Sequence, residues 1–281
     1  MNTTVRIAHS PDSDDAFMFY GLASGAVSAE GISFVHELKD IETLNKAAVE
    51  GHYEITALSV HAYAYLHEHY LLLDAGASFG DGYGPTVVVP AGSSLRSLDD
   101  LSGRRIAIPG KWTSAALALA LRLPRHTPVV MDFKAVGEAA RRGEVEAGLV
   151  IHEGQLTAAE EGLRVLEDLG AWWKERHGLP LPLGMNGVKR DLPDDLRRSL
   201  ARALAASVAY GLDHRKAALD HAMTYARGLD RRRADTFVGM YVNDWTRSLG
   251  EKGRRAVALF LSEAADRGLV PRVKPEYQAL A

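Results

Sequence analysis

Residues 77–90 read ASFGDGYGPTVVVP, and the way this stretch divides the chain decides the fold. Its first ten residues carry Gly80, Gly82 and the pair Gly84-Pro85; its last residues, Thr86 to Val89, are β-rich and apolar. The glycine-rich part lacks the GxxxxGK[ST] lysine and no helix follows it at once, so it is not a phosphate loop. It reads as backbone that must bend or approach something closely, or as a plain flexible connection between two strands. A complete strand-and-helix series precedes it and a fresh one follows Pro90, so it links two lobes.

Working outward, Val5 to Ala8 is a strand that stops at the turn-former cluster Ser10-Pro11-Asp12-Ser13-Asp14-Asp15, and a helix runs from Ala16 towards Gly25. Ile32 to Glu37 alternates as a strand, Ile41 to Val49 is a helix capped by Asp40, and Tyr53 to Leu58 is the next strand. Ser59 stands where that strand passes into the helix Ala62 to Tyr70. In the second series, Arg105 to Ile108, Val129 to Phe133 and Ala147 to Ile151 are strands. Between them lie the alanine- and leucine-rich helix Ala115 to Leu123 and the helix Val136 to Arg142. Strand, helix, strand repeated in this way predicts parallel sheets covered by helices, with ligands gathering at the carboxyl ends of the strands. Leu179 to Gly184 is a proline-rich crossover, and Asp194 to Tyr210, Arg215 to Arg227, Arg231 to Tyr241 and Gly253 to Arg267 are helices that return to the first lobe. The expected lobes are 1–88 with 186–281, and 89–185. Two links make a hinge, and a hinge makes a cleft that closes on a small molecule.

The whole-chain numbers narrow the function. With 281 residues and 47% hydrophobic side chains the chain buries a large core. A net charge of -3 gives no reason to expect nucleic acid or an acidic membrane as partner. The basic run Asp230-Arg231-Arg232-Arg233 is short and reads as the start of a helix. Absence of cysteine removes disulfides and thiolate chemistry. No run approaches the roughly 20 apolar residues that cross a bilayer, and the first residues carry no leader pattern, so the expected compartment is the cytoplasm. Nothing in the sequence sets an oligomeric state.

Several residues suit chemistry. GEVEAGLVIHEG, residues 143–154, is a buried strand ending on His152-Glu153, placed at the rim of the cleft; histidine titrates near neutral pH and suits proton abstraction. Ser59 occupies the matching strand end of the first lobe, and Thr113-Ser114-Ala115 the loop-to-helix junction of the second, where free amides and the helix dipole favour a carboxylate. A structural role for each, as a hydrogen-bonded rim histidine or an ordinary cap, stays open at this point. His61, His67 and His69 do not share one helix face, no HExxH is present, and no metal is expected. Asp12, Asp14 and Asp15 read as helix-capping residues.

These segments resemble the 1,4-dihydroxy-6-naphthoate synthase family over nearly the whole length. The matching blocks are the Ser10-Pro11 to Asp15-Ala16-Phe17 start, IETLN at Ile41 to Asn45 and Leu58-Ser59 to Ala64. They continue with GYGPTVV at Gly82 to Val88, IPGKWTSA at Ile108 to Ala115, GEVEAGLVIHE at Gly143 to Glu153 and LGAWWKERHGLPLPLG at Leu169 to Gly184. The resemblance implies an α/β, two-lobed, periplasmic-binding-protein-like (type II) fold with a central cleft, used as a cofactor-free carbon-carbon lyase of the futalosine route to menaquinone. It implies conversion of cyclic dehypoxanthinyl futalosine, a small-molecule carboxylate, to 1,4-dihydroxy-6-naphthoate with release of a dihydroxyacetone fragment. His152 corresponds to the family's proton acceptor, and Ala57-Leu58-Ser59 and Ser114-Ala115 to its substrate-contacting segments, with Thr113 beside them. One departure stands out: the family often writes its first loop SPCPND, whereas this chain has acids at Asp12 and Asp14. A non-catalytic carboxylate binder on the same fold and the sister chorismate dehydratase are the alternatives.

Overall fold

In the computed structural model, which describes residues 2–225 and 230–280, two sheets stand side by side. β1 (Thr3–His9), β2 (Ile32–Leu38), β3 (Ile55–Ser59), β4 (Tyr70–Leu72) and β5 (Ser78–Gly80) begin the first. β6 (Thr86–Pro90), β7 (Arg105–Ile108), β8 (Thr127–Val130), β9 (Ala147–Val150) and β10 (Leu163–Asp168) form the second, and β11 (Leu181–Lys189) returns to the first. The strand orders are β2-β1-β3-β11-β4, with β5 also on β11, and β10-β6-β9-β7-β8.

Parallel pairing holds for β1 with β2 and β3, and for β7 with β8 and β9. β11 runs antiparallel to β3, β4 and β5, β6 antiparallel to β9, and β10 antiparallel to β6. The sheets are therefore mixed, which corrects the parallel expectation. The strands that carry the chain between the sheets enter each one at the end where a link delivers them, and that end is opposite to the start of the βαβ strands.

Helices α1 (Ser13–Met18), α2 (Tyr20–Ala23), α3 (Ile41–Val49) and α4 (Val60–Leu66) belong to the first series. α5 (Ser114–Arg122), α6 (Val136–Arg141), α7 (Gly154–Thr157) and α8 (Leu169–His177) belong to the second. α9 (Asp194–Asp213), α10 (Arg215–Ala222), α11 (Arg231–Tyr241), α12 (Asp244–Arg247) and α13 (Gly250–Asp266) follow β11. The single helix expected after Asp15 is split at Phe19, whose ring stacks on His9 with centroids 4.1 Å apart. Of the helix expected from Arg215 to Arg227, the first eight residues are α10, while Ala226 and Arg227 lie outside the described residues.

Val5, Ile7, Ile55 and Val188 of the first sheet bury against Phe17 and against Leu204, Val208 and Val238 of the returning helices. Val88 and Ala107 of the second sheet bury against Val136 and Ala140. A third body of apolar side chains, with Tyr63, Phe79, Ile106, Leu117, Trp173 and Phe260, crosses between the sheets. Each such large side chain contributes about 1.5–3 kcal/mol on leaving water.

The glycine-rich link approaches the first turn of α8, which answers what its glycines are for. A Cβ on Gly170 would stand 1.8 Å from the Tyr83 carbonyl oxygen, and one on Gly84 would stand 3.0 Å from the Gly170 backbone. Two backbones meet there with no room for side chains. Asp81 of the first link pairs with Lys174 of α8 and accepts from Trp245 Nε1 of α12 at 3.2 Å, fixing this link to both helices.

Candidate active site

Between the sheets lies a cavity of about 760 Å³, its open mouth included. Ser10, Asp14 and Asp15 of the β1–α1 segment form one wall, Ala57 and Ser59 at the end of β3 another, and Thr113, Ser114 and Ala115 face them from the second sheet. Leu183 to Asn186 of β11 and Phe237 and Tyr241 of α11 complete the lining. The carboxyl ends of β1 and β3 and the start of α5 thus meet, as expected for an α/β cleft.

Strand alternation sorts the expected triplet at the end of β3. Ala57 and Ser59 line the cavity, whereas Leu58 points the other way into an apolar cluster with Ala48, Ala62 and Leu66. Ser59 is held by Asn45 of α3, which donates from Nδ2 to Ser59 Oγ at 3.0 Å and accepts the Ser59 amide on Oδ1 at 2.9 Å. That clamp leaves the Ser59 hydroxyl proton free to donate. Asn45 was legible only as part of IETLN; a polar residue on a helix gives no sign of what it will grip.

At α5 the hydroxyls are engaged and the amides are not. Thr113 caps the helix, accepting the Ala116 amide at 3.2 Å and donating to the Gly110 carbonyl at 3.0 Å. Ser114 Oγ donates to the Leu183 carbonyl at 2.5 Å and accepts the His61 amide at 3.2 Å. The backbone N–H groups of Ser114 and Ala115 take no hydrogen-bond partner among the described residues. Two free amides at the positive end of a nine-residue helix are an anion cradle. His61 stiffens this corner by donating from Nδ1 to the Thr113 carbonyl at 3.1 Å, and burial pushes its imidazole down to about 4, so it stays neutral there.

The strand carrying His152 reaches the cavity, but the ring does not. Ile151 lines it; His152 instead lines a separate hollow with Lys134, Glu138 and Arg141. Its ring stands edge-on to Phe133, centroids 5.4 Å apart, and Nδ1 accepts the Gly154 amide at 2.9 Å. This differs from the expected rim orientation because β9 ends at Val150, and the turn that follows no longer keeps the two-residue alternation. Glu153, 4% exposed, crosses to the first series and accepts from Ser13 Oγ at 3.1 Å.

The acidic loop is the feature that sequence reasoning under-read. Asp12 makes no side-chain cap on α1, so the capping role expected of it is not met. Asp15 turns back to accept the Ser10 amide at 2.7 Å. Burial pushes Asp15 up to about 7 against the pull of that amide, and burial together with the charges of Asp15, Asp12 and Glu153 pushes Asp14 well above the usual carboxylate range. Polar loop composition hid these carboxyls; the packing of α10 and α11 over α1 leaves them half-buried in the cavity wall. Tyr241, itself buried, donates to Gln155 Oε1 at 3.0 Å and so ties α11 to α7 across the cavity. Among the described residues no group of three or more histidine, aspartate or glutamate side chains is disposed to hold a metal, and no helix is long and apolar enough to cross a membrane.

With this geometry in view, comparison with known proteins is informative. Over 272 residues the chain is 41% identical to the 1,4-dihydroxy-6-naphtoate synthase of Thermus thermophilus, covering 96% of this chain and 98% of that one. It is 46% identical to protein AF1704 from Archaeoglobus fulgidus, whose crystal structure superposes with a TM-score of 0.88 over 95% of this chain and 98% of that one. The alkanesulfonate-binding protein SsuA of Xanthomonas axonopodis pv. citri, bound to MOPS, shares only 16% identity but has a TM-score of 0.74 over 98% and 97% of the two chains, so the fold is two-lobed and periplasmic-binding-protein-like. The family model described as menaquinone biosynthesis matches residues 5–266, and the chain belongs to that family.

Proposed function

We propose that the chain is a carbon-carbon lyase that converts cyclic dehypoxanthinyl futalosine to 1,4-dihydroxy-6-naphthoate, releasing a dihydroxyacetone fragment, in the cytoplasm and without a cofactor. The observation that carries this reading is the pair of free amides at Ser114 and Ala115, opposed by the Ser59 hydroxyl across one cavity. Those amides suit the substrate carboxylate, and Thr113 holds the helix end in place. Ala57 and Ser59 contact the substrate through their cavity faces, and Leu58 through its backbone. The names borne by the relatives support the same product.

Breaking a carbon-carbon bond beside a carbonyl requires a base to take a proton and donors to hold the enolate charge. His152 is the proposed base. In the arrangement described above its Nδ1 lone pair is occupied by the Gly154 amide, so the ring turns towards the cavity for catalysis. The lobes, 1–88 with 186–281 and 89–185, close over the substrate by bending at the two links, one leading into β6 and the other into β11.

The test is to incubate the wild type and His152→Asn with cyclic dehypoxanthinyl futalosine and follow naphthoate by mass spectrometry. Product from the wild type, reduced at least 100-fold in a folded His152→Asn, is the expected result, in line with the ~10²–10⁴-fold contributed by a positioned base. No product from the wild type overturns the lyase; equal product from both moves the base elsewhere.

A further inference from the structure

His152 is held away from the cleft by a seat that its neighbours build. The ring packs edge-on against Phe133, and Nδ1 accepts the Gly154 amide. A neutral imidazole carries one proton, so this bond puts it on Nε2 and uses the only free lone pair. In the seat the ring therefore has nothing with which to accept a proton from a ligand, besides lying outside the cavity lining.

The seat exists because residue 154 is glycine. A Cβ there would stand 2.6 Å from His152 Cε1 and 3.1 Å from Nδ1, closer than the ring tolerates. The Gly154 backbone does not adopt the left-handed conformation, so this glycine serves the space it leaves and not a turn. On either side the chain is fixed: Ile151 lines the cavity and Glu153 is tied to Ser13. His152 thus stands between a residue that lines the cavity and one tied to the first series.

We propose that Gly154 and Phe133 are positioning residues that hold His152 in a resting seat, from which the substrate draws it into the cleft. The proposal rests on His152 being the base. A base that is mostly seated reduces the apparent affinity of a ligand that requires it turned inward by the fraction that is competent. One amide bond and one aromatic contact make that a three- to tenfold effect.

Gly154→Ala removes the space, and Phe133→Leu removes the aromatic edge. For both we expect KM for cyclic dehypoxanthinyl futalosine to fall three- to tenfold with kcat within threefold of wild type. The ring is read separately in ¹⁵N-histidine-labelled protein without ligand: the wild type is expected to show His152 as the Nε2–H tautomer, and Gly154→Ala to lose that single-tautomer signature. An unchanged or raised KM in both variants overturns the seat, as does a wild-type ring already mixed between tautomers. Absence of turnover in the wild type overturns the lyase reading instead, and the seat is then decided by the tautomer alone.

Discussion

His9 illustrates how one residue carries information that no motif contains. It ends β1 with its side chain buried, donating from Nδ1 to the Ser10 carbonyl at 2.9 Å and accepting from His36 Nδ1 at 3.2 Å on Nε2. Burial pushes its pKa down to about 3, so between pH 6.5 and 3 the unfolded chain binds a proton that the folded one refuses. Stability from this residue is complete above the unfolded value and is lost as the pH falls. Asp14 and Asp15, raised by burial, act in the opposite sense over the range between ordinary carboxylate values and neutrality. His9→Phe removes the first contribution and leaves the second. Relative to wild type it is expected to gain about 2 kcal/mol on going from pH 7 to pH 5, measured by urea unfolding at the two values. A difference that does not change with pH would show that His9 titrates normally. The sequence announced a histidine after a strand; that it would be neutral followed only from Phe19 and His36 closing over it.

At the scale of an element, α5 was legible because its signals are local. Threonine ahead of an alanine-leucine run is a start signal, and the Thr113 cap forms as the residue type demands. Thr113→Ala is expected to cost about 1 kcal/mol in urea unfolding, with Thr113→Ser near wild type, because only the hydroxyl is needed. β3 was legible as a strand ending at Ser59, but the expected triplet kept Leu58 with its neighbours, and the structure turns Leu58 away from Ala57 and Ser59. α1 was less so. Its helix was expected to continue through Phe19, but that residue is taken by His9, a partner ten positions earlier on a strand. Periodicity reports only on neighbours within a turn, so it could not foresee the break.

For the whole molecule, closure rests on contacts between segments far apart in sequence. Besides Ser13 with Glu153, the Glu42 carboxylate of α3 accepts the Lys111 and Trp112 amides at 3.2 and 3.1 Å, and Tyr65 stacks on Trp112 with centroids 5.6 Å apart. Glu42→Ala leaves two amides at the lobe contact without their charged acceptor. It is expected to raise KM about tenfold while leaving kcat within threefold, and to increase the radius of gyration in small-angle scattering, since the binding energy must then close the lobes. An unchanged KM would mean that the lobes are held by the apolar body between the sheets alone.

By itself the sequence determined the two strand-and-helix series, the capped start of α5 and the place of Ser59 at the end of β3, because each is written in local periodicity, turn chemistry or capping. Only the tertiary structure decided that the sheets are mixed, that Gly84 meets Gly170, that Asp14 and Asp15 are half-buried beneath the returning helices, and that His152 sits against Phe133. Those outcomes depend on which distant segment arrives beside a residue, and burial, charge state and ring orientation are set by that neighbour.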